Sequence, residues 1–462
     1  MNHVNKNVLF LLTFVSLTTL LAGWFISHVN VNTAFLGLLS VILVILCFLN
    51  TEVGLYILIV AMLLGPQFIA GGTHTEFVEV RGRALTLRLD DFLLLAVGLG
   101  WFTRAAIDKE LGLFLKTPLN RPIAYYFIAC VVSTMVGAMM GRVKPAPGFF
   151  FVLKYFEYFV IYFMAVNHLR EKKQVERFIL TILIVCFVVC LISMTQIPSG
   201  ARVSAPFEGE GGEPNTLGGY LDFILALVLG LLLTNGIPRY RLFLLILVPT
   251  ILIVLMATLS RSSWLSLLPL ILILIVFSKK KMVLIISVLF VVLLSPFILP
   301  KSVVDRALYT FTQPPEEGQL EIGQVKIDTS TSSRIFSWKE ALSKAWVKHP
   351  ILGYGVTGYR FLDAQFPRVL VETGLLGFFT FLFLLRSIFK VSHSVYRQTE
   401  DPFFSGITLG YLAGFFALLT HAIGANTFII VRIMEPFWFL TAIVVMIPRI
   451  EGSSSPPSAD TV

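Results

Sequence analysis

LFLLILVPTILIVLMATLSRSSWLSLLPLILILIVFSKKKMVLIISVLFVVLLSPFIL, residues 242–299, holds three apolar runs parted by two short polar links. The runs, 242–257, 262–277 and 282–299, approach the ~20 residues that cross a hydrocarbon core. Their links are Ser260-Arg261-Ser262-Ser263 and Ser278-Lys279-Lys280-Lys281. Links this short leave no room for the backbone to leave a membrane and build a soluble core. The same pattern repeats outward in both directions, predicting further spans at 8–27, 33–49, 53–66, 91–104, 122–139, 150–167, 178–194, 217–234, 369–389, 406–423 and 431–447. The expected fold is an all-α polytopic membrane protein of about 14 transmembrane helices.

Composition agrees. Of the 462 residues 56% are hydrophobic and 14% charged, against about a quarter charged in soluble domains. The run 8–26 lacks a small-residue cleavage site and another span follows at once, so it reads as a first helix rather than a leader. Cys47, Cys130, Cys186 and Cys190 fall inside apolar runs, which argues for small core residues and against a disulfide framework or metal site. The net charge of +9 needs no nucleic acid, because basic cytoplasmic loops give the same sum. With a cytoplasmic N-terminus, alternation places Lys109, Lys116 and Arg121, then Arg170, Lys172, Lys173 and Arg177, then Arg239 and Arg241, Lys279–Lys281, and Arg386, Lys390 and Arg397 inside. Arg81, Arg83 and Arg88 are the exception outside.

This reading divides the chain into helices 1–11 over 1–299, a large external loop over 300–368, helices 12–14 over 369–447 and a disordered cytoplasmic tail over 448–462. Within the loop, Gln313-Pro314-Pro315 and Glu316-Glu317-Gly318 mark turns. Ser333 to Lys348 reads as an amphipathic helix capped by Ser332 or Ser333, with Ile335, Trp338, Leu342 and Trp346 on one stripe. That stripe either lies at the membrane interface, lidding a cavity, or packs on the loop's own core. His349-Pro350 ends it.

Polar residues concentrate on the outer face. Arg261 interrupts two apolar helices, where an arginine faces a partner, an aqueous cavity or the headgroups. Together with Arg202, Arg334, Arg360, Arg368 and Arg432 it suggests an anion-binding funnel, since guanidiniums hold phosphate bidentately. Gly353, Gly355 and Gly358 have a dinucleotide-type spacing without the strand–helix context, so they are expected to serve a tight turn or a close approach to a ligand. Asp363, Glu372 and His421 are the candidate acid–base groups. Glu372 is equally a partner for Arg368 one turn away, and His421 equally a core histidine. Lys154 and Glu157 are expected to neutralise each other. No external acidic metal motif is evident, and no cofactor is expected.

Taken together, HPILGYGVTGYR (349–360), RVLVETGLLGFFTFLFLL (368–385), SRSSW (260–264) and PNTLGGYL (214–221) resemble the O-antigen ligase/polymerase superfamily over roughly 200–445. The resemblance implies a GT-C-like, metal-independent glycosyltransferase of the bacterial inner membrane, with its termini cytoplasmic and its site in the periplasmic loop. The implied substrate is an undecaprenyl-diphosphate-linked glycan among membrane lipids. An acceptor hydroxyl would attack donor C1 as undecaprenyl diphosphate leaves, with a chain-length regulator as a possible partner. Arg202, Asn215, Arg261, Arg334, Tyr359, Arg360, Arg368 and Arg432 become candidate substrate-binding residues. Ligases of the superfamily carry a His-Asn pair where this chain has Asp363-Ala364. The pattern of Asp363, Gln365, Arg368 and Glu372 looks more like the polysaccharide polymerases, for O-antigen or exopolysaccharide. A ligase acting on lipid A core, and a flippase or transporter of a lipid-linked glycan, are the alternatives.

Overall fold

The computed structural model describes residues 48–65, 67–69, 86–107, 115–206, 212–314, 316–322 and 325–454, with 42, 45 and 46. The expected first span, nearly all of the second, Arg81 and Arg83 lie outside them, as does the tail beyond Ser454.

The helices are α1 (Thr51–Leu64), α2 (Leu89–Ile107), α3 (Asn120–Met139), α4 (Pro145–His168), α5 (Lys172–Met194), α6 (Pro214–Thr234), α7 (Arg241–Ala257), α8 (Arg261–Phe277) and α9 (Lys281–Ile298). There follow α10 (Lys301–Thr312), α11 (Thr329–Glu340), α12 (Gln365–Gln398), α13 (Pro402–Gly424) and α14 (Val431–Ser454). Two short antiparallel ladders complete the described structure: β1 (Gln67–Ile69) with β2 (Thr86–Arg88), and β3 (Glu321–Ile322) with β4 (Val325–Lys326). Each expected span from the third onward coincides with a helix. Eight described helices are long and apolar enough to cross a membrane, or nine if α9 and α10, bent by 94°, count as one. α1 and α8 are shorter apolar helices.

The centre is built from α6, α13 and α14, whose apolar stretches are mostly buried. Small residues permit this. A Cβ on Gly230 of α6 would lie 2.4 Å from the Gly406 carbonyl oxygen of α13, and one on Gly410 would lie 2.6 Å from Leu227 Cα. Lipid supplies no hydrophobic drive between helices, so such close approach is what holds spans together. α8 packs on α13, α12 on α3, and α4 on α14. Leu265, Leu268, Leu272 and Val276 form an exposed apolar row along α8, at the helical spacing of a lipid-facing stripe.

Three details differ from expectation. The segment 301–312, part of the loop and given no helix there, is the helix α10, begun after Pro300 and carrying Arg306 and Thr310 on successive turns. The amphipathic helix starts at Thr329 with Asp328 at its cap position, four residues ahead of the expected Ser333. It then widens into a π-turn over Ala341–Ala345, which rotates Leu342 to the exposed side and buries Ala341 and Ala345 instead. Those alanines pack with Leu362, Val371, Trp346, Tyr354 and Tyr359. Finally, α14 continues helical through Ser454, into the segment assigned to the tail.

Candidate active site: arginines and carboxylates at one end of the bundle

α8 begins where the chain turns at Leu259, whose φ is +50°. Ser260 caps the helix, and its hydroxyl donates to Asn215 Oδ1 (2.8 Å) while accepting from the Ser263 hydroxyl (2.9 Å). Asn215 lies at the start of α6, so the cap ties two helix N-termini together. From this junction the Arg261 guanidinium reaches both carboxylate oxygens of Asp328, at 2.9 and 2.8 Å, and donates to Thr310 Oγ1 at 2.5 Å. The loop presents Asp328 there because its backbone N–H bonds the Thr310 carbonyl (3.0 Å). Burial raises the Asp328 carboxyl, but the Arg261 hydrogen bonds outweigh that and hold it below its ordinary value.

A second pair stands beside the first. Arg334 of α11 donates through Nε (3.2 Å) and Nη2 (2.7 Å) to Asp363 Oδ2, both residues about one-third exposed. Arg202 donates Nε–H to the Thr258 carbonyl at the end of α7 (3.1 Å). Burial and then the guanidiniums of Arg306, Arg261 and Arg334 push Arg202 below its usual value. Four arginines therefore feel one another across four separate segments. Glu213, at the cap position of α6, belongs to the same group. Its carboxyl is raised by desolvation and then by Asp363, against the opposing pull of Arg202 and Arg334.

The glycine-rich segment packs against α3 and the first turns of α12. Gly374 breaks α12 with φ +65° and ψ −166°, a conformation that glycine adopts without a Cβ penalty. The freed N–H groups of Leu375 and Leu376 bond the Pro350 and Ile351 carbonyls (2.8 and 3.1 Å), while Tyr354 and Gly355 donate to Val371 and Glu372 (3.0 and 2.8 Å). A Cβ on Gly374 would lie 2.2 Å from the Ile351 oxygen. On the other side, Val356 N–H donates to Thr134 Oγ1 of α3 (3.2 Å). The glycines thus serve a close approach to the protein's own α3 and α12.

Residues 242–382 match the family model described as O-antigen ligase. This match supports the O-antigen ligase/polymerase superfamily. The match covers less than a third of the chain, and no curated protein matches it. It fits a multi-pass inner-membrane protein with a glycosyltransferase type of function. The O-antigen ligase segment holds Arg261, Arg306, Asp328, Arg334, Asp363 and the Gly374 break; Arg202 and Glu213 join from ahead of it.

Arg368 and Glu372 form a buried pair (Nε–Oε2 3.3 Å), each about 5% exposed or less. Glu372 also accepts from the Thr357 N–H (3.3 Å), and the Arg368 guanidinium lies 5.5 Å from the Phe361 ring. Arg360 pairs with Glu340 on the surface and covers Tyr359. His421 is fully buried with Nδ1 2.8 Å from Thr427 Oγ1. A Cβ on Gly219 of α6 would meet its ring at 3.0 Å. Arg432 is buried elsewhere, donating to the carbonyls of Leu63 (2.9 Å), Pro206 (3.0 Å) and Gly65 (3.4 Å). Arg306, Thr310 and Glu213 escaped the sequence reading. The amphipathic spacing of Val303, Ala307 and Phe311 was the available signal for the first two.

Proposed function

We propose that this protein polymerises glycan repeat units carried on undecaprenyl diphosphate, at the outer face of the bacterial inner membrane, within a GT-C-like helix bundle. The observation that carries this reading is the pairing of Arg261 with Asp328 and of Arg334 with Asp363, in a group where Arg202 feels the charge of Arg306, Arg261 and Arg334 and Glu213 that of Asp363. In the proposed step the acceptor hydroxyl oxygen bonds to donor C1 while the C1–oxygen bond to diphosphate breaks. The leaving diphosphate carries the electron pair, and the hydroxyl proton passes to the Asp363–Glu213 pair.

Charge develops on the leaving diphosphate, and fixed guanidiniums aimed at it are worth several kcal/mol without a metal. Asp328 and Asp363 occupy Arg261 and Arg334 in the free protein. They hold the two forks open in shape and yield to phosphate oxygens of the same geometry. Phe336, Leu342 and Val347 are exposed along the segment that follows Arg334 in sequence, apolar surface suited to a polyprenyl chain.

Asp363 in place of the histidine that the ligases carry favours the polymerase reading over transfer to lipid A core. Arg261→Ala and Arg334→Ala test it: long-chain glycan disappears while the protein remains in the membrane. Normal chain lengths from well-expressed variants refute it.

A further inference from the structure

A second charged cluster lies away from the arginines, buried among α2, α4 and α14. Asp90 and Asp91 open α2 just after Arg88, Lys154 and Glu157 lie on α4, and Glu435 lies on α14. Arg88 pairs with Asp90 (3.1 Å) and more distantly with Glu435 (3.9 Å), and it also donates to the Met62 carbonyl (2.6 Å). Lys154 pairs with Asp91 and with Glu157, the latter at 3.1 Å. The expected neutralisation of Glu157 by Lys154 is therefore shared with a third residue.

Among the described residues, four carboxylates face these two cations. Arg432, one turn before Glu435, is engaged with three backbone carbonyls, and counting it still leaves the carboxylates in excess. Asp90 and Glu435 are 0% exposed, and neither oxygen of either accepts a hydrogen bond among the described residues. Uncompensated negative charge inside a membrane protein is costly, and such groups find a counter-ion. Oxygens of Asp90, Glu157 and Glu435 all lie within 4.8 Å of one another.

We propose that Asp90, Glu157 and Glu435 hold a divalent cation that braces α2, α4 and α14. The ligands are hard carboxylate oxygens, the donor type chosen by Mg²⁺, Ca²⁺ or Mn²⁺ and avoided by soft metals. The site is structural and independent of the arginine cluster. No step of glycan transfer passes through it.

The test uses the full-length protein, purified in detergent and stripped with a chelator. Mn²⁺ binding is followed by electron paramagnetic resonance, and the thermal midpoint is followed with added Mg²⁺, Ca²⁺ or Mn²⁺. The site predicts one tightly held ion per chain and a midpoint that rises with cation concentration. Glu435→Gln should weaken Mn²⁺ binding by about tenfold or more, since affinity follows ligand charge, whereas Arg261→Ala should bind as wild type. Absence of stoichiometric Mn²⁺ binding by the wild-type protein overturns the proposal, whatever the variants do. So does a Glu435→Gln protein that binds normally. A midpoint that climbs as pH falls, with no cation response, shows that protons balance these acids instead and also overturns it.

Discussion

Arg261 and Asp328, 67 residues apart in sequence, meet in a two-pronged ion pair at 2.9 and 2.8 Å, with Asp328 only 1% exposed. One residue starts a membrane helix and the other precedes the loop's amphipathic helix, so the pair fastens loop to bundle. On the proposed reading it also parks the arginine for diphosphate. The two roles separate on mutation. Arg261→Ala should lower transfer by roughly 10²–10³-fold, the usual loss of one donor to developing charge. Asp328→Asn should cost far less, because it frees the guanidinium without removing it. Comparable losses from both, in membranes with equal protein, would make the pair purely structural.

Arg261→Lys should recover little of the lost activity. A lysine keeps the charge but not the planar fork that spans two oxygens. Glycan chain-length profiles from the two substitutions, side by side, provide the comparison.

Arg368 and Glu372 are predicted to matter for folding. Removing either leaves its partner charged and buried, at a cost of about 3–5 kcal/mol, so Arg368→Ala or Glu372→Ala should deplete the protein from membranes. The joint replacement Arg368→Met with Glu372→Leu should be milder than either single change. Normal abundance of Arg368→Ala would point back to a role in substrate binding.

Gly374→Ala places a side chain at φ +65° against the Ile351 carbonyl. Backbone strain alone costs on the order of 1–3 kcal/mol, and the overlap adds to it. The expected result is a lower thermal midpoint for the purified protein. A midpoint equal to wild type would mean that the break in α12 is dispensable.

How much of this was legible beforehand depends on the range of the interaction. Apolar runs parted by short polar links located the helices and drew attention to Arg261, because a charge between two such runs needs a local explanation. The missing histidine at Asp363 was legible through the family pattern. Arg306 was hidden because its short helix, between Pro300 and the Pro314-Pro315 turn, was not assigned as one. Leu342 was misplaced because a π-turn shifts the helical register by one residue, which periodicity does not record. The Gly374 break was invisible, since a glycine in an apolar helix is compatible with an unbroken one. Asp90, Glu157 and Glu435 lie on three helices distant in sequence, and only tertiary packing assembles them.

The proposed proton acceptor leads to a pH prediction. Desolvation and Asp363 raise the Glu213 carboxyl above the ordinary glutamate range. A base works only when deprotonated, so transfer should fall as pH drops through that raised value and be restored above it. Glu213→Gln should lower the maximal rate and abolish this acidic limb. An unchanged limb would assign it to another group.

The most direct measurement is reconstitution of the purified protein with a single undecaprenyl-diphosphate-linked repeat unit as both donor and acceptor. The account predicts a ladder of products, each one repeat longer, with release of undecaprenyl diphosphate, and no ladder with Arg261→Ala. A protein that moves the lipid-linked glycan across the bilayer without forming a glycosidic bond, or that transfers it only when lipid A core is supplied, would contradict it.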